Sequence, residues 1–152
     1  MQQLIECVPN FSEGRDLTII QQITNEIELV ENTRLLNVDP GKATNRTVVT
    51  FVGPPENVVE AAFRAIKKAG ELIDMRNHKG EHPRMGATDV CPLIPISGIT
   101  IEETAKLARD LAKRVGEELQ IPVYLYEEAQ PDKKSVTFPL SGPENTKGFL
   151  KR

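Results

Sequence analysis

The sequence predicts an α+β fold in which helices pack on one face of a mixed β-sheet. Short apolar runs typical of strands alternate with segments of helical period, in the order strand, helix, strand, strand, helix, strand, helix, strand. This order corresponds to a βαββαβ core with one added unit. The 152 residues and a hydrophobic content of 39% are enough for one domain with its own core.

The first strand and helix follow from residues 4–28. Residues 4–8 are a short apolar run that ends at Pro9, which predicts a strand followed by the polar loop 10–15. Asp16 is suited to cap a helix, and the isoleucines after it recur at three- and four-residue steps on one face. They are Ile19, Ile20, Ile23 and Ile27.

A β-hairpin and a second helix are predicted next. Residues 34–38 form a strand closed by Asp39-Pro40-Gly41, a turn follows that holds Lys42, Thr44 and Asn45, and residues 46–53 form the returning strand. Pro54-Pro55 then opens a helix, because proline is tolerated in the first helical turn. Its apolar positions keep helical period as far as Ile73.

The rest of the chain is less regular. Residues 74–98 are interrupted by glycines and prolines around a strand candidate at 90–96, and such a segment is a natural place for a functional site. Thr100 and Glu103 form a capping box that starts a third helix. Residues 123–126 make a closing strand, and residues 130–152 read as an irregular tail.

Composition narrows the classes of function. The 19 basic and 22 acidic residues give a net charge of −3, and with no Trp, two Tyr and five Phe the chain offers no base-stacking platform, so no nucleic-acid partner is expected. Two cysteines favour a reducing compartment, and neither a secretory signal nor an apolar run of about 18 residues is visible, so we expect a soluble cytoplasmic protein without a membrane partner. Small-molecule chemistry or protein contacts remain.

Residues 78–82 match the sequence motif of one class of zinc peptidases, but the helix that this motif requires is not expected here. His-Lys-Gly-Glu-His would present His78 and His82 to a metal from one helical face. Gly80 and Pro83 break a helix at this point, and we therefore expect no metal site. Cys7 and Cys91 lie in apolar strands and are interpreted as small core residues instead of nucleophiles.

Residues 79–86 concentrate functional groups on a backbone stiffened by one proline and two glycines. An imidazole titrates near neutrality, with an ordinary pKa of about 6.5, so His82 suits proton transfer better than Glu81, whose ordinary value is about 4.3. The alternative, a histidine bonded inside a loop network, stays open.

A pocket for a carboxylated metabolite can be built from the neighbouring charges. Arg84 offers a planar fork for a carboxylate, and Arg46, Lys42 and Lys79 either add positive potential or are simply solvated. Asp39 either holds its turn by an Asx-type hydrogen bond or orients an amine.

Three stretches carry a resemblance to a known family. They are residues 7–14 (Cys-Val-Pro-Asn-Phe-Ser-Glu-Gly), residues 45–47 with 50–53, and residues 78–87 with 89–92. In these the chain resembles the N-terminal subdomain of glutamate formimidoyltransferase, a module also found fused to a cyclodeaminase. The third stretch, which contains His-Lys-Gly-Glu-His-Pro-Arg-Met-Gly, is the most specific.

The resemblance implies a ferredoxin-like subdomain at residues 1–129, followed by the tail 130–152. Family enzymes continue into a linker and a second subdomain of similar architecture, which carries most of the folate-binding segment. We therefore expect either a homo-oligomer or pairing with a second formiminotransferase subdomain.

The resemblance also implies the chemistry. The family's catalytic histidine falls on His82, and the reaction moves a formimino group between N-formimino-L-glutamate and the co-substrate tetrahydrofolate in histidine degradation, with 5-formyltetrahydrofolate as an alternative ligand. The candidate substrate-binding residues are Arg84, Asp39, Asn45, Arg46, Glu81 and Lys79. Two alternatives remain: a non-catalytic binding or assembly module, and a half-enzyme completed in trans by a second subdomain.

Overall fold

The computed structural model of the chain describes residues 2–75 and 86–123. These residues form six strands and three helices. In chain order they are β1 (Leu4–Cys7), β2 (Asn10–Phe11), α1 (Leu17–Glu28), β3 (Arg34–Gly41), β4 (Arg46–Gly53), α2 (Pro55–Leu72), β5 (Thr88–Val90), β6 (Leu93–Ser97) and α3 (Ile101–Leu119). The class predicted from the sequence, α+β, is confirmed.

The described strands form one sheet in the order β5-β2-β4-β1-β6, and β3 pairs with the other edge of β4. β1 and β2 lie end to end along β4, and β6 and β5 lie end to end along β1 and β2. Each pairing among these strands is antiparallel, so for the described part of the sheet the expectation of a mixed sheet is wrong. The reason is that strands joined through a helix are separated in the sheet by an antiparallel neighbour.

Three features of the strands differ from the prediction. Asp39-Pro40-Gly41 does not close the second strand, because β3 continues through these residues and pairs with β4 as far as Arg46. Pro40 is tolerated because β3 pairs only with β4 among the described strands, so the missing N–H costs no bond to a second neighbour. The strand predicted at 90–96 is divided into β5 and β6 by Cys91 and Pro92, and β2 lies in the predicted loop.

The helix starts are confirmed. The Asp16 carboxylate accepts the amide hydrogens of Thr18 at 3.0 Å and Ile19 at 3.4 Å, and Pro55 opens α2. At the start of α3, the Thr100 hydroxyl accepts from the Glu103 amide at 3.0 Å, while the Glu103 carboxylate accepts from the Thr100 amide at 2.9 Å. These bonds satisfy backbone donors that have no partner within a helix.

The core lies between one face of the sheet and the helices. Alternate residues of β1 and β4 are buried, among them Ile5 and Phe51, and they share one apolar cluster with the alanine-rich face of α2. Cys7 and Cys91 are both 0% exposed in this cluster, as free thiols with 3.5 Å between their sulfurs, which confirms their prediction as core residues. Within the described residues no helix has the length and apolar content to cross a membrane.

Candidate functional site

Three segments far apart in sequence meet at one end of the sheet. They are the loop after β2 (residues 12–16), the turn between β3 and β4 (residues 42–45), and residues 86–89 at the start of β5. The loop lies between the other two and bonds to both: Ser12 contacts Gly86, and Gly14 contacts Asn45. We define the site by this three-segment junction.

The loop and the turn are held together by buried polar groups. The Gly14 amide donates to the Asn45 side-chain oxygen at 2.8 Å, and the Thr47 hydroxyl donates to the Glu13 carbonyl oxygen. Asn45 is only 7% exposed and has a φ of 52°, a left-handed conformation that asparagine tolerates better than most residues. The Arg15 guanidinium adds a bond to the Lys42 carbonyl oxygen at 2.9 Å.

Gly14 is required by the closeness of this contact. A Cβ atom at Gly14 would lie 2.5 Å from the Arg46 amide nitrogen and closer still to the Gly41 carbonyl oxygen. Both neighbours are backbone atoms, which cannot swing aside as a side chain can. The absence of a side chain therefore lets the loop rest directly on the turn.

Ser12 connects the loop to the segment that begins at Gly86. Its hydroxyl donates to the Gly86 carbonyl oxygen at 2.6 Å, and its amide donates to the Ala87 carbonyl oxygen at 2.8 Å. One residue later in the segment, Phe11 of β2 pairs with Thr88 of β5. Ser12 is 0% exposed, so both of its bonds are shielded from water.

A charged pair bridges the turn and the third segment. The Arg46 guanidinium lies 3.7 Å from the Asp89 carboxylate, and the two side chains are 20% and 9% exposed. The pair is thus largely withdrawn from solvent, where an ionic contact is screened less than on an open surface. Arg46 remains the more exposed of the two side chains.

Asp39 lies on the sheet face opposite the core. It pairs with Val48 in the antiparallel register, whereas the neighbouring pair of Val38 and Val49 faces the helices. Arg46, two residues before Val48, lies on the same face as Asp39 because side chains alternate along a strand. The structure therefore brings two of the predicted polar residues to one side of the hairpin.

Four of the predicted site residues lie outside the described residues. They are Lys79, Glu81, His82 and Arg84. Their roles stay predictions, as does the expectation for His78. The described chain reaches Met75, which packs against the core, and resumes at Gly86, which is bonded to Ser12. Among the described residues no cluster of three His, Cys, Asp or Glu side chains could hold a metal ion.

The sequence did not single out Ser12, Gly14 or Asp89 as individual residues. Ser12 and Gly14 belong to a stretch that supports the resemblance, but a small polar residue and a glycine in a polar loop are common features of turns. The hydrogen bonds that give Ser12 and Gly14 a role join residues that are 74 and 31 positions apart in the sequence, respectively. Such contacts are not readable from local sequence pattern.

Comparison with known proteins places this sequence in a family. Residues 4–140 match the formiminotransferase domain, N-terminal subdomain. The chain is 55% identical over 129 residues to formimidoyltransferase-cyclodeaminase of Dictyostelium discoideum, which covers 85% of the chain and 24% of that protein. It is 51% identical over 135 residues to glutamate formimidoyltransferase of Thermoplasma acidophilum, and this alignment covers 88% of the chain and 45% of that protein. It is 41% identical over 138 residues to the protein of the same name from Streptococcus pyogenes, and this alignment covers 90% of the chain and 46% of that protein.

The chain belongs to the family of formiminotransferase N-terminal subdomains. It spans less than half the length of these relatives. The family resemblance inferred from the three sequence stretches is thereby confirmed.

Proposed function

We propose that the chain is the N-terminal half of a glutamate formimidoyltransferase, which moves a formimino group between N-formimino-L-glutamate and tetrahydrofolate in histidine degradation. The observation that carries the proposal is the family match over residues 4–140, together with relatives of that name at 41–51% identity. The junction around Ser12 and Asn45 supports it, because it holds Gly86, four residues after His82 in the sequence, beside the hairpin that bears Asp39 and Arg46.

His82 is proposed as the acid and base of the transfer. An amine attacks the formimino carbon and a tetrahedral intermediate forms, after which the departing nitrogen takes up a proton as its bond to carbon breaks. One imidazole can accept the proton of the attacking amine and return it to the leaving nitrogen. Positioned proton transfer of this kind contributes about 100- to 10,000-fold in rate.

The charged residues are proposed to bind the substrates. Arg84 would bind a glutamate carboxylate through its planar fork, with Arg46 and Lys79 adding positive charge. Asp39 would accept a hydrogen bond from an amine, and Asn45 and Glu81 would complete the polar wall. Asp39 is suited to this role because its side chain lies on the face of the hairpin that the helices leave uncovered.

The finer fold and the assembly form part of the same proposal. The antiparallel order β3-β4-β1-β6, with helices crossing between separated strands, supports a ferredoxin-like subdomain over residues 1–129 with a tail at 130–152. A second subdomain would supply the other wall of the site and most of the folate contacts, and a dimer is the expected assembly. The two free, buried cysteines agree with a cytoplasmic protein.

The experiment compares His82→Ala with His78→Ala. Transfer from N-formimino-L-glutamate to tetrahydrofolate is measured with the chain alone and with a second formiminotransferase subdomain added. We expect His82→Ala to lower the rate by about 100-fold or more. The control, His78→Ala, removes the other histidine of the chain and should keep most of the activity.

Near-normal turnover by His82→Ala would refute the assignment of the acid and base. Activity only after addition of the second subdomain would indicate a half-enzyme completed in trans. A chain that neither transfers the group nor releases heat on titration with glutamate and folate, but forms a stable dimer on a sizing column, would support an assembly module instead.

A further inference from the structure

Ser12 is a buried polar residue at the centre of the three-segment junction. It is 0% exposed, and it bonds to two consecutive carbonyl oxygens, Gly86 through its hydroxyl at 2.6 Å and Ala87 through its amide at 2.8 Å. Two bonds to neighbouring peptide groups fix the direction of the backbone as well as its position. Because Gly86 has no side chain to pack, these bonds set the course of the chain at this point.

The residues on either side of Ser12 anchor it to the hairpin. The Glu13 carbonyl oxygen accepts from Thr47 of β4, and the Gly14 amide donates to Asn45 of the turn at 2.8 Å. Ser12 thus couples residues 86–87 to the strand pair that presents Asp39 and Arg46. No other described residue joins the carbonyl oxygens of both Gly86 and Ala87 to this loop.

The coupling matters for the proposed reaction because Gly86 is close to His82 in the sequence. His82 precedes Gly86 by four residues, and four residues of chain span at most about 14 Å. His82 is therefore joined by a short length of chain to a backbone position that Ser12 holds. In enzymes, a misplacement of about 1 Å in a reacting group can lower the rate by about 100-fold.

We propose that Ser12 is a positioning residue of the transfer reaction, which holds Gly86 and Ala87, shortly after His82 in the sequence, beside the Asp39–Arg46 hairpin. This inference rests on the proposed function. It assigns Ser12 no contact with substrate, and it predicts that the hydroxyl acts on the rate through the placement of His82.

The test uses Ser12→Ala, with Ser12→Cys as a variant that keeps the shape of the side chain, slightly enlarged, and a weak donor. Thr104→Val is the matched control: Thr104 is also 0% exposed, and its hydroxyl donates to the Thr100 carbonyl oxygen at 2.8 Å on α3. Transfer kinetics are measured with the second subdomain present, thermal unfolding gives the folded fraction, and the NMR resonance of the His82 ring is followed in the full chain, assigned by means of His78→Ala.

We expect Ser12→Ala to lower kcat of the folded enzyme about 10- to 100-fold with little change in KM, and Ser12→Cys to lower it less. The His82 resonance should move in Ser12→Ala and stay in place in Thr104→Val, although both variants unfold at a lower temperature. If Ser12→Ala does not fold, Ser12→Cys decides by the same measurements.

The proposal is overturned if the serine variants match Thr104→Val in kcat and in the His82 resonance while the wild-type chain is active and His82→Ala is inactive. A wild-type chain with no transfer activity would instead count against the proposed function. In that case the resonance still decides whether Ser12 determines the surroundings of His82.

Discussion

Asn45 shows how a single side chain can serve the backbone around a site. Its residue type makes it a substrate-binding candidate, and in the structure its side-chain oxygen accepts a hydrogen bond from the Gly14 amide while its backbone has a φ of 52°. Few residues combine a side-chain acceptor with tolerance of this conformation, and asparagine and aspartate are the usual ones. The residue type is thus explained by the turn, whatever else the amide contacts.

Gly14→Ala should lower the free energy of unfolding by about 1–3 kcal/mol, the range of forced overpacking, since the added methyl group would meet backbone atoms of Gly41 and Arg46. The matched control is Gly70→Ala in α2, where the new Cβ lies 3.8 Å from Ile121 in ordinary contact. There the same change should stabilise the helix by about 0.5–1 kcal/mol. Urea unfolding of both variants measures the difference, and equal effects would contradict this account of Gly14.

At the scale of elements, local sequence signals predicted the helices well and the strands less well. A helix is set by its own cap and periodicity, as with Asp16 of α1 and Thr100 of α3, and these signals lie within a few residues of one another. The ends of strands depend on partners elsewhere in the chain. β3 continues through Pro40 because β4 runs beside it, and this could not be inferred from a proline that usually ends a strand.

Thr100→Ala should cost about 1 kcal/mol of folding free energy, because both bonds of the capping box depend on this residue's geometry and the Glu103 amide loses its side-chain acceptor. Thr100→Ser keeps the hydroxyl and is the control, expected to fall within a few tenths of a kcal/mol of the wild type. Denaturant unfolding compares the two, and a loss of the same size in Thr100→Ser would assign the effect to the methyl group.

At the scale of the whole molecule, stability at alkaline pH depends on the buried thiol of Cys7. Burial, and to a smaller extent the contact with Cys91, raises the pKa of the Cys7 thiol well above its ordinary value of about 8.5. Above about pH 8.5 the unfolded chain therefore releases a proton that the folded chain keeps. The free energy of unfolding should therefore fall as pH rises, by up to about 1.4 kcal/mol per pH unit from this group.

Cys7→Ala removes the titrating group and provides the comparison. We expect the variant to be less stable near neutral pH because of the lost packing, but to show a shallower decline above about pH 8.5. Denaturant unfolding of both proteins across this range gives the two slopes. Parallel slopes would show that Cys7 does not contribute to the alkaline loss of stability.

The sequence predicted only part of the candidate site, because the site, like the ends of the strands, depends on contacts between distant segments. Residue chemistry and the family stretches indicated Asp39, Asn45 and Arg46, because their types suit anionic substrates. Their assembly with Ser12 and Asp89 depends on contacts between segments that the sequence separates widely. Local pattern could therefore name candidates for binding, but it could not show which residues hold the three segments together.

The one-residue irregularity at Leu36 has a consequence for evolution of the hairpin. Leu35 and Val38 both pack toward the core although they are three positions apart, and the register shift between Leu35 and Asn37 makes this possible while Leu36 is 51% exposed. If Leu36 instead took a regular place in the alternation, with Leu35 still facing the core, Val38 would face outward and the Asp39 carboxylate would point into the apolar interior. Deletion of Leu36 would leave Leu35, Val38 and Asp39 on their present faces, so a descendant of this chain can lose one residue here without reversing the two faces of the hairpin.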